Sequence, residues 1–128
     1  MLSIKTLYNK DGKVVDNDRA KLPIGSAVGQ FLPYDMLFGA LASCLYYTFS
    51  DVIEKKRLIV DEVEIRVTGE KREEVPTTLA WVKIQVDIKS DADVNQLEKS
   101  VDLACKYCSI HETIKQVAEI THEVRVNK

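Results

Sequence analysis

The feature that most constrains this fold is a helix-forming segment that is apolar on nearly every side. From Met36 to Phe49 the apolar run is broken only by Gly39, Ser43 and Thr48. A helix with apolar residues all round has to be covered on several sides, and 128 residues suffice for one domain with such a core. The run is shorter than the roughly 20 residues of a membrane span. We therefore expect a central core helix in a single domain covering residues 1–128.

Residues flanking this run indicate where the helix begins and ends. Pro33 suits the first helical position, because its missing N–H has no partner there in any case. Asp35 places a negative charge in the first turn, where the helix dipole favours it. The basic residues Lys55 to Arg57 suit the last turn for the opposite reason. The sequence therefore predicts a helix from Pro33 to about Arg57.

Short alternating segments on both sides of the helix predict β-strands. The turn residues Asn9-Lys10-Asp11-Gly12 predict an N-terminal hairpin, whereas residues 17–32, which carry Pro23, Gly25 and Gly29, predict a loop. Alternation of apolar and polar residues is typical of half-buried antiparallel strands. The predicted strands are residues 3–8, 13–16, 63–68, 80–88 and 122–126.

Two further helices are predicted in the C-terminal third of the chain. Asp91 or Asp93 can cap the first of them. Ser109-Ile110-His111-Glu112 fits a capping box, which begins the second helix, and we expect that helix to run to about Glu119. The apolar stripe of the first helix has helical spacing and consists of Val94, Leu97, Val101, Ala104 and Cys108, with Cys105 beside it.

Charge and cysteine content exclude several functional classes. The chain has 18 basic and 20 acidic residues, without the basic balance expected of a nucleic-acid or membrane-surface binder. Its three cysteines are an odd number, which argues against a secreted disulfide framework. The N-terminus lacks the apolar core of a signal peptide. We expect a cytoplasmic protein with no nucleic-acid or membrane partner.

Cys44 and Cys108 are the candidate reactive residues, and each also has a packing interpretation. Cys44 lies inside the apolar helix, where a buried cysteine is usually inert. Three turns in, it gains little from the dipole, so activation would need a cation from elsewhere. Cys108 precedes the predicted cap Ser109, so amides of the next helix should lower its pKa. Alternatively, Cys108 is simply the last apolar residue of its stripe.

The spacing Cys105-Lys106-Tyr107-Cys108 also resembles a redox or metal-binding motif, but its context does not fit. A thioredoxin-type Cys-x-x-Cys opens a helix after a strand, whereas this one closes a helix. With His111 it offers three metal ligands, and a structural zinc site needs four. We therefore expect no metal and no cofactor. His111 is expected to be a solvated first-turn residue and His122 a residue at a strand start.

Two segments of the chain contain its candidate reactive cysteines. The first is Pro33-Tyr34-Asp35-Met36-Leu37-Phe38-Gly39-Ala40-Leu41-Ala42-Ser43-Cys44, and the second is Cys108-Ser109-Ile110-His111-Glu112-Thr113-Ile114. Both segments resemble motifs of the OsmC/Ohr family of thiol-dependent hydroperoxide reductases. The element order also fits. The resemblance implies an α+β OsmC-like fold in which an antiparallel sheet packs with a long central helix, assembled as an intertwined homodimer.

The resemblance also implies a reaction and roles for four residues. Cys44 would be the peroxidatic thiol and Cys108 the resolving thiol of an organic hydroperoxide reductase that uses a thiol or dithiol reductant. Peroxidase members have Glu after the helix-starting proline and Arg near the hairpin turn. Here Tyr34 takes the first place, with Asp35 next to it, and Lys10 takes the second. Asp35 and Lys10 would help the thiol, and Lys lacks the fixed fork of Arg.

Two alternatives remain open from the sequence. One is a non-enzymatic OsmC-like dimer that binds a small apolar or thiol ligand in the same cleft. The other is a structural dimer whose cysteines only pack. Asp35 lies nine residues before Cys44, which is about 13 Å along its own helix at ~1.5 Å per residue, so it cannot contact Cys44 of the same chain. If Asp35 assists the thiol, we expect it to do so from the other chain.

Overall fold

The computed structural model describes all residues from Met1 to Lys128. It divides into two compact units, Met1–Leu37 and Phe38–Lys128. That the whole chain forms one domain stays a prediction. The elements are β1 (Lys5–Asn9), β2 (Gly12–Asp16), β3 (Lys21–Pro23), α1 (Pro33–Lys55), β4 (Glu62–Lys71), β5 (Leu79–Lys89), α2 (Val94–Tyr107), α3 (Ser109–Lys115) and β6 (Glu119–Asn127).

The N-terminal unit contains a three-stranded antiparallel sheet in the order β1-β2-β3. The predicted hairpin is confirmed: Asn9 pairs with Gly12, and the Asn9 side chain accepts a hydrogen bond of 2.9 Å from the N–H of Asp11. β3 lies in the segment predicted as a loop, so that prediction is wrong for three residues. Pro23 fits this edge strand, because a strand at the edge of a sheet tolerates a missing N–H.

Helix α1 begins at the predicted residue and ends slightly earlier than expected. The Asp35 carboxylate accepts a hydrogen bond of 2.8 Å from the N–H of Leu32, which satisfies a donor at the start of the helix. The helix ends at Lys55, because Arg57 adopts the left-handed conformation with φ 57°. That conformation commonly terminates a helix.

The single chain covers α1 along one stripe only. The buried residues of α1 are Leu41, Leu45 and Phe49, spaced four apart. Tyr46 and Tyr47 keep 43% and 69% of their surface exposed. This chain covers only part of the helix, and the partner subunit that was expected to cover the rest stays a prediction. An apolar face that the chain leaves open is the main unexplained feature of the fold.

The length of α1 also bears on whether this helix could span a membrane. The helix extends beyond the apolar run, and its most apolar window has a mean hydropathy of 1.4. By length and composition it could cross a membrane, so the argument that the segment is too short is wrong. The core helix of a soluble protein meets the same criteria, so one such helix is weak evidence for a membrane span.

The second unit contains a three-stranded sheet in the order β4-β5-β6. β4 and β5 are antiparallel, as predicted, and β6 pairs with β5 in parallel. Parallel pairing follows from the connection, since α2 and α3 together form the crossover that a parallel strand requires. From Val82 to Ile88 the buried residues of β5 alternate along the strand, as predicted, and are Val82, Ile84, Val86 and Ile88. Leu79 at the start of the strand is buried as well.

Helices α2 and α3 follow the predicted order with shifted ends. Asp93 is the N-cap of α2, and its side chain accepts a hydrogen bond of 2.8 Å from the N–H of Asn95. α3 ends at Lys115, and β6 already begins at Glu119, which the sequence assigned to the end of the helix. The N–H of Ala118 donates to the carbonyl of Ile114, so a single turn separates the two elements.

Gly69 in β4 tests how closely this strand packs against β5 and against Phe38 of α1. A Cβ atom at Gly69 would lie 2.7 Å from the carbonyl oxygen of Trp81 and 3.0 Å from Cζ of Phe38. We predict that Gly69→Ala lowers the free energy of unfolding by roughly 1–3 kcal/mol, because the neighbouring backbone has to move. Gly39→Ala is the control: no atom lies within 4 Å of its added Cβ, and a helical alanine should stabilise by up to about 1 kcal/mol. Urea unfolding measures both, and equal stability of Gly69→Ala and wild type would contradict this packing.

Candidate active site

Helix α1 and the junction between α2 and α3 bring two thiols into direct contact. The Sγ atoms of Cys44 and Cys108 lie 3.1 Å apart, and the Cys108 thiol donates to the Cys44 sulfur. Both residues are free cysteines. Cys44 is half-buried, whereas Cys108 has no exposed surface. The more accessible sulfur of the pair is therefore that of Cys44.

Cys108 reaches this position because it separates two helices. Its backbone is extended, with φ −69° and ψ 115°, so it ends α2 and begins α3. Its N–H donates to the carbonyl of Ala104 at 2.8 Å, and its Sγ accepts from the N–H of His111 at 3.4 Å. Cys108 is the N-cap of α3, so the prediction that Ser109 is the cap is wrong. Ser109 is instead the first helical residue.

The first turn of α3 supplies hydrogen-bond donors to Cys44. Partial burial would by itself raise the pKa of the Cys44 thiol, but hydrogen bonds outweigh it and leave the pKa below its ordinary value of 9.0. The donors are the backbone of Ile110, the Cys108 thiol, and the hydroxyl and backbone of Ser109. The Ser109 hydroxyl oxygen lies 4.0 Å from the Cys44 sulfur. These donors favour the thiolate because they bind the charged form.

The same arrangement has the opposite effect on Cys108. Burial and, next in size, its hydrogen bond to Cys44 raise the pKa of the Cys108 thiol to about 11, so that this thiol stays protonated at neutral pH. The His111 amide lowers this pKa, but less than burial raises it. The site therefore pairs a thiol that ionises readily with one that stays protonated.

The pKa shifts of Cys44 and Cys108 are the opposite of those expected from the sequence. From the sequence, the amides of α3 were expected to lower the pKa of Cys108, and Cys44 was expected to need a cation. In the structure the amides of the first turn serve Cys44, while burial dominates at Cys108. The reason is that Cys108, the N-cap of α3, is fully buried, so that water does not solvate its thiolate. Neutral hydrogen-bond donors of α3 therefore lower the pKa of Cys44, an effect for which the sequence analysis had expected a cation.

Cys105 is the third thiol and is less reactive by environment. It is buried, and burial, the negative charge of Asp102 and the neighbouring Cys108 raise its pKa to about 12. The structure contains no group of three or more histidine, cysteine, aspartate or glutamate residues arranged to hold a metal ion. The three-ligand set of Cys105, Cys108 and His111 therefore has no geometric support as a metal centre.

The two histidines differ from their expected environments. His111 was expected to be solvated, but only 8% of its surface is exposed, and its Nδ1 atom is buried without a hydrogen-bond partner. Burial lowers its pKa, and His122 and Lys115 lower it further. His122 lies within β6 rather than at its start, and its Nε2 is 2.7 Å from Oδ1 of Asp102.

The other two candidate residues belong to the N-terminal unit. Lys10 lies in the turn between β1 and β2, where it is exposed. Asp35 lies in the first turn of α1, where its carboxylate caps the helix through Leu32. The contact that the structure provides among the four candidate residues is therefore the one between Cys44 and Cys108.

Sequence reasoning missed the groups that act on the thiols through the backbone. Ile110 contributes an amide, and every residue except proline has one, so no residue type marks it. The spacing of His111 in the sequence did carry a signal, because His111 lies three residues after Cys108 and three before Ile114. Such spacing is typical of one helix face, and His111 and Ile114 are the two buried residues of α3. Helical spacing after Cys108 therefore carried the only usable signal.

Comparison with known proteins identifies the family and the fold of this chain. Residues 26–123 match the family model described as OsmC-like protein. Protein YhfA of Escherichia coli strain K12 is 27% identical over 96 residues, which cover 73% of this chain and 72% of that protein.

Two solved structures share the fold. The OsmC-like protein from Mycoplasma pneumoniae aligns with a TM-score of 0.88 at 19% identity, over 98% of this chain and 96% of that one. The organic hydroperoxide resistance protein OhrB of Bacillus subtilis aligns with a TM-score of 0.69 at 16% identity, over 97% and 98%. The α+β OsmC-like fold is therefore confirmed. Because the family model matches more than half of its length, this chain belongs to the OsmC-like protein family.

Proposed function

We propose that this protein reduces organic hydroperoxides with two thiols, Cys44 as the peroxidatic and Cys108 as the resolving cysteine. The observation that carries the proposal is the 3.1 Å contact between two sulfurs whose pKa values are shifted in opposite directions. Structural similarity to a protein named for organic hydroperoxide resistance supports this class of substrate. The broader role would be in the response to oxidative stress.

The proposed reaction has two steps on the protein. The Cys44 thiolate attacks the terminal hydroxyl oxygen of the peroxide, so that an S–O bond forms and the O–O bond breaks. The alkoxide leaves and becomes the alcohol by taking up the proton that Cys44 lost on ionisation. This step oxidises Cys44 to a sulfenic acid. Cys108 sulfur then attacks the Cys44 sulfur, the S–O bond breaks, water leaves and a disulfide forms. An external thiol or dithiol returns both cysteines to the reduced state and is itself oxidised to a disulfide.

The assignment of roles follows from exposure and ionisation. The attacking group has to be a thiolate that a substrate can reach, and Cys44 is both half-buried and lowered in pKa. The resolving thiol needs no access to substrate, because its target is the sulfur it already contacts. Cys108 is fully buried and donates its hydrogen bond to Cys44. Its position is therefore suited to the second step only.

Lys10 and Asp35 are proposed helpers of this reaction. A lysine cation would stabilise the thiolate and the developing alkoxide, although as a flexible point charge rather than a fork. Asp35 already accepts a hydrogen bond from Leu32, so one of its functions is to start α1. Any contribution of Asp35 to the thiols would come in addition to this capping.

One groove supports the non-enzymatic alternative, in which an OsmC-like dimer binds a small apolar or thiol ligand. It has a volume of about 320 Å³ and lies between α1 and α2, with Thr48 one helical turn after Cys44. Val52, Leu103 and Tyr107 line it together with the charged residues Asp51, Lys55 and Lys56, and neither Cys44 nor Cys108 lines this groove. Hydroperoxide turnover separates the two candidates. A shift in melting temperature with a small thiol ligand, without turnover, would favour the binding function.

The oligomeric state is proposed to be a homodimer. Helix α1 buries only three residues within one chain, and its two adjacent tyrosines stay exposed. A second copy is the simplest cover for this face, because closed symmetric dimers are the commonest assembly. The free cysteines and near-neutral charge fit a cytoplasmic location, and neither nucleic acid nor membrane is a proposed partner.

The reaction is tested by cysteine variants in a coupled assay with a dithiol reductant and an organic hydroperoxide. Cys44→Ser should reduce turnover to background, because serine is not a nucleophile at neutral pH. Cys108→Ser should still form a sulfenic acid at Cys44 but should turn over slowly. Cys105→Ser is the matched control and should keep the wild-type rate. Excess hydroperoxide should consume two of the three thiols and leave Cys105 free. Undiminished turnover by Cys44→Ser would refute the assignment.

The dimer is tested by placing a charge on α1. We expect wild type at micromolar concentration to sediment at about twice 14.5 kDa. Tyr47→Asp should shift the protein toward the monomer, because a buried unpaired charge is costly at an interface. Tyr107→Asp on α2 is the control, since that tyrosine is 65% exposed and Tyr47 is 69% exposed. A stable wild-type monomer would rule out the proposed assembly.

A further inference from the structure

His111 connects the thiol pair to a second cluster of titratable groups. Its backbone N–H donates to the Cys108 sulfur at 3.4 Å. It follows directly on Ser109 and Ile110, whose backbones act on Cys44. The first turn of α3 therefore presents three consecutive backbone groups to two sulfurs. Whatever holds this turn in place also holds the donors of the site.

The His111 ring is the buried side chain of that turn. Only 8% of the residue is exposed, and Nδ1 has no partner and no access to solvent. The next buried residue of α3 is Ile114, one turn further along. In the neutral ring an unpartnered Nδ1 costs one hydrogen bond, whereas in the imidazolium it would leave a buried charged donor unpaired. Burial of this ring therefore depends on its being neutral.

The surroundings of the ring also disfavour a positive charge. His111 lines a cavity of about 320 Å³ between α2, α3 and β6. Besides His111, its titratable residues are Asp102, Cys105 and Lys106 from α2, Glu112 and Lys115 from α3, and His122 from β6. The Asp102 carboxylate is 2.7 Å from the His122 ring and is thus already engaged.

Charges in the cavity act on His111 in a definite direction. Burial is the largest cause that lowers the pKa of His111, followed by repulsion from His122 and Lys115, and only Glu112 raises it. Glu112 also accepts a hydrogen bond of 2.9 Å from the side chain of Gln116. The ring is therefore neutral at pH 7, and a proton would introduce an unfavourable charge beside the α3 turn.

We propose that His111 is a positioning residue for the thiol pair: its neutral ring anchors the first turn of α3, and protonation releases the donors of that turn from Cys44 and Cys108. The functional consequence rests on the proposed peroxidase role, whereas the coupling itself concerns only the thiols. A histidine in an unfolded chain binds its proton near pH 6.5. The pKa of His111 in the folded protein is lower than this value. The stabilising effect of the neutral ring is therefore complete above about pH 6.5 and is lost as the pH falls through the lowered pKa.

Amide hydrogen exchange tests the coupling without any activity assay. Protection factors, which remove the intrinsic pH dependence of exchange, should fall several-fold for residues 109–114 between pH 7.5 and pH 5. Those of Leu97 and Val101 in α2 should stay constant, which separates local opening from global unfolding. In wild type, the NMR titration of the His111 ring should coincide with the loss of protection. Protection that is independent of pH while the ring titrates would overturn the proposal.

Substitutions at His111 separate anchoring from proton binding. His111→Ala removes the ring and should raise the pKa of Cys44 toward 9.0, the ordinary value. His111→Phe fills the same space without a titratable group, so it should restore the low pKa of Cys44 and abolish the acid response of α3.

His122→Phe is the matched control, because it removes the other histidine of the same cavity. It should keep the acid response. Retention of that response in His111→Phe, or its loss only in His122→Phe, would assign the effect to another group and refute the role of His111. Should the His111 variants fail to fold, the wild-type ring titration and exchange data decide alone. A failure of hydroperoxide turnover would leave all of these readouts unchanged, so the two proposals can fail separately.

Discussion

The extended backbone of Cys108 is the constraint on which the site depends. The N–H of Cys108 donates to the carbonyl of Ala104 at the end of α2, and its sulfur accepts a hydrogen bond from the N–H of His111 at the start of α3. If this residue were helical, α2 and α3 would continue as one helix, and the backbones of Ser109 and Ile110 would not face Cys44. The break therefore creates the donors, buries one thiol and brings it to 3.1 Å from the other.

The chemistry of the pair then follows from two unequal environments. Burial dominates at Cys108 and keeps it protonated, while hydrogen bonds dominate at Cys44 and favour its thiolate. The attacking thiol has to be a thiolate before the substrate arrives, whereas the resolving thiol attacks only after Cys44 is oxidised and gives up its proton in that step. Helix α1 contributes rigidity rather than charge, because its buried stripe of Leu41, Leu45 and Phe49 fixes the turn that carries Cys44. The open apolar face of the same helix is the surface that we assign to a second copy of the chain.

Periodicity and turn chemistry predicted most elements of the fold, since the hairpin at Asn9–Gly12, the start of α1 at Pro33 and the alternating strand β5 all have local causes. The short strand β3 and the parallel pairing of β6 were missed, because both depend on partners far away in the sequence. At the site, the positions of the two cysteines at helix junctions singled them out as a candidate reactive pair, and the resemblance to a known family implied their roles. Their pKa order could not be predicted, because it depends on the Ile110 backbone and on burial, which leave no mark in residue type.

The ionisation order of the three thiols is the most direct test of this account. Each cysteine is alkylated in the native protein over a range of pH, and the modified peptides are quantified by mass spectrometry. We predict that Cys44 reacts first, with a pKa below 9.0, and that Cys108 and Cys105 follow at about 11 and about 12. Alkylation of Cys108 at a lower pH than Cys44 would contradict the assignment of the α3 donors and of both catalytic roles.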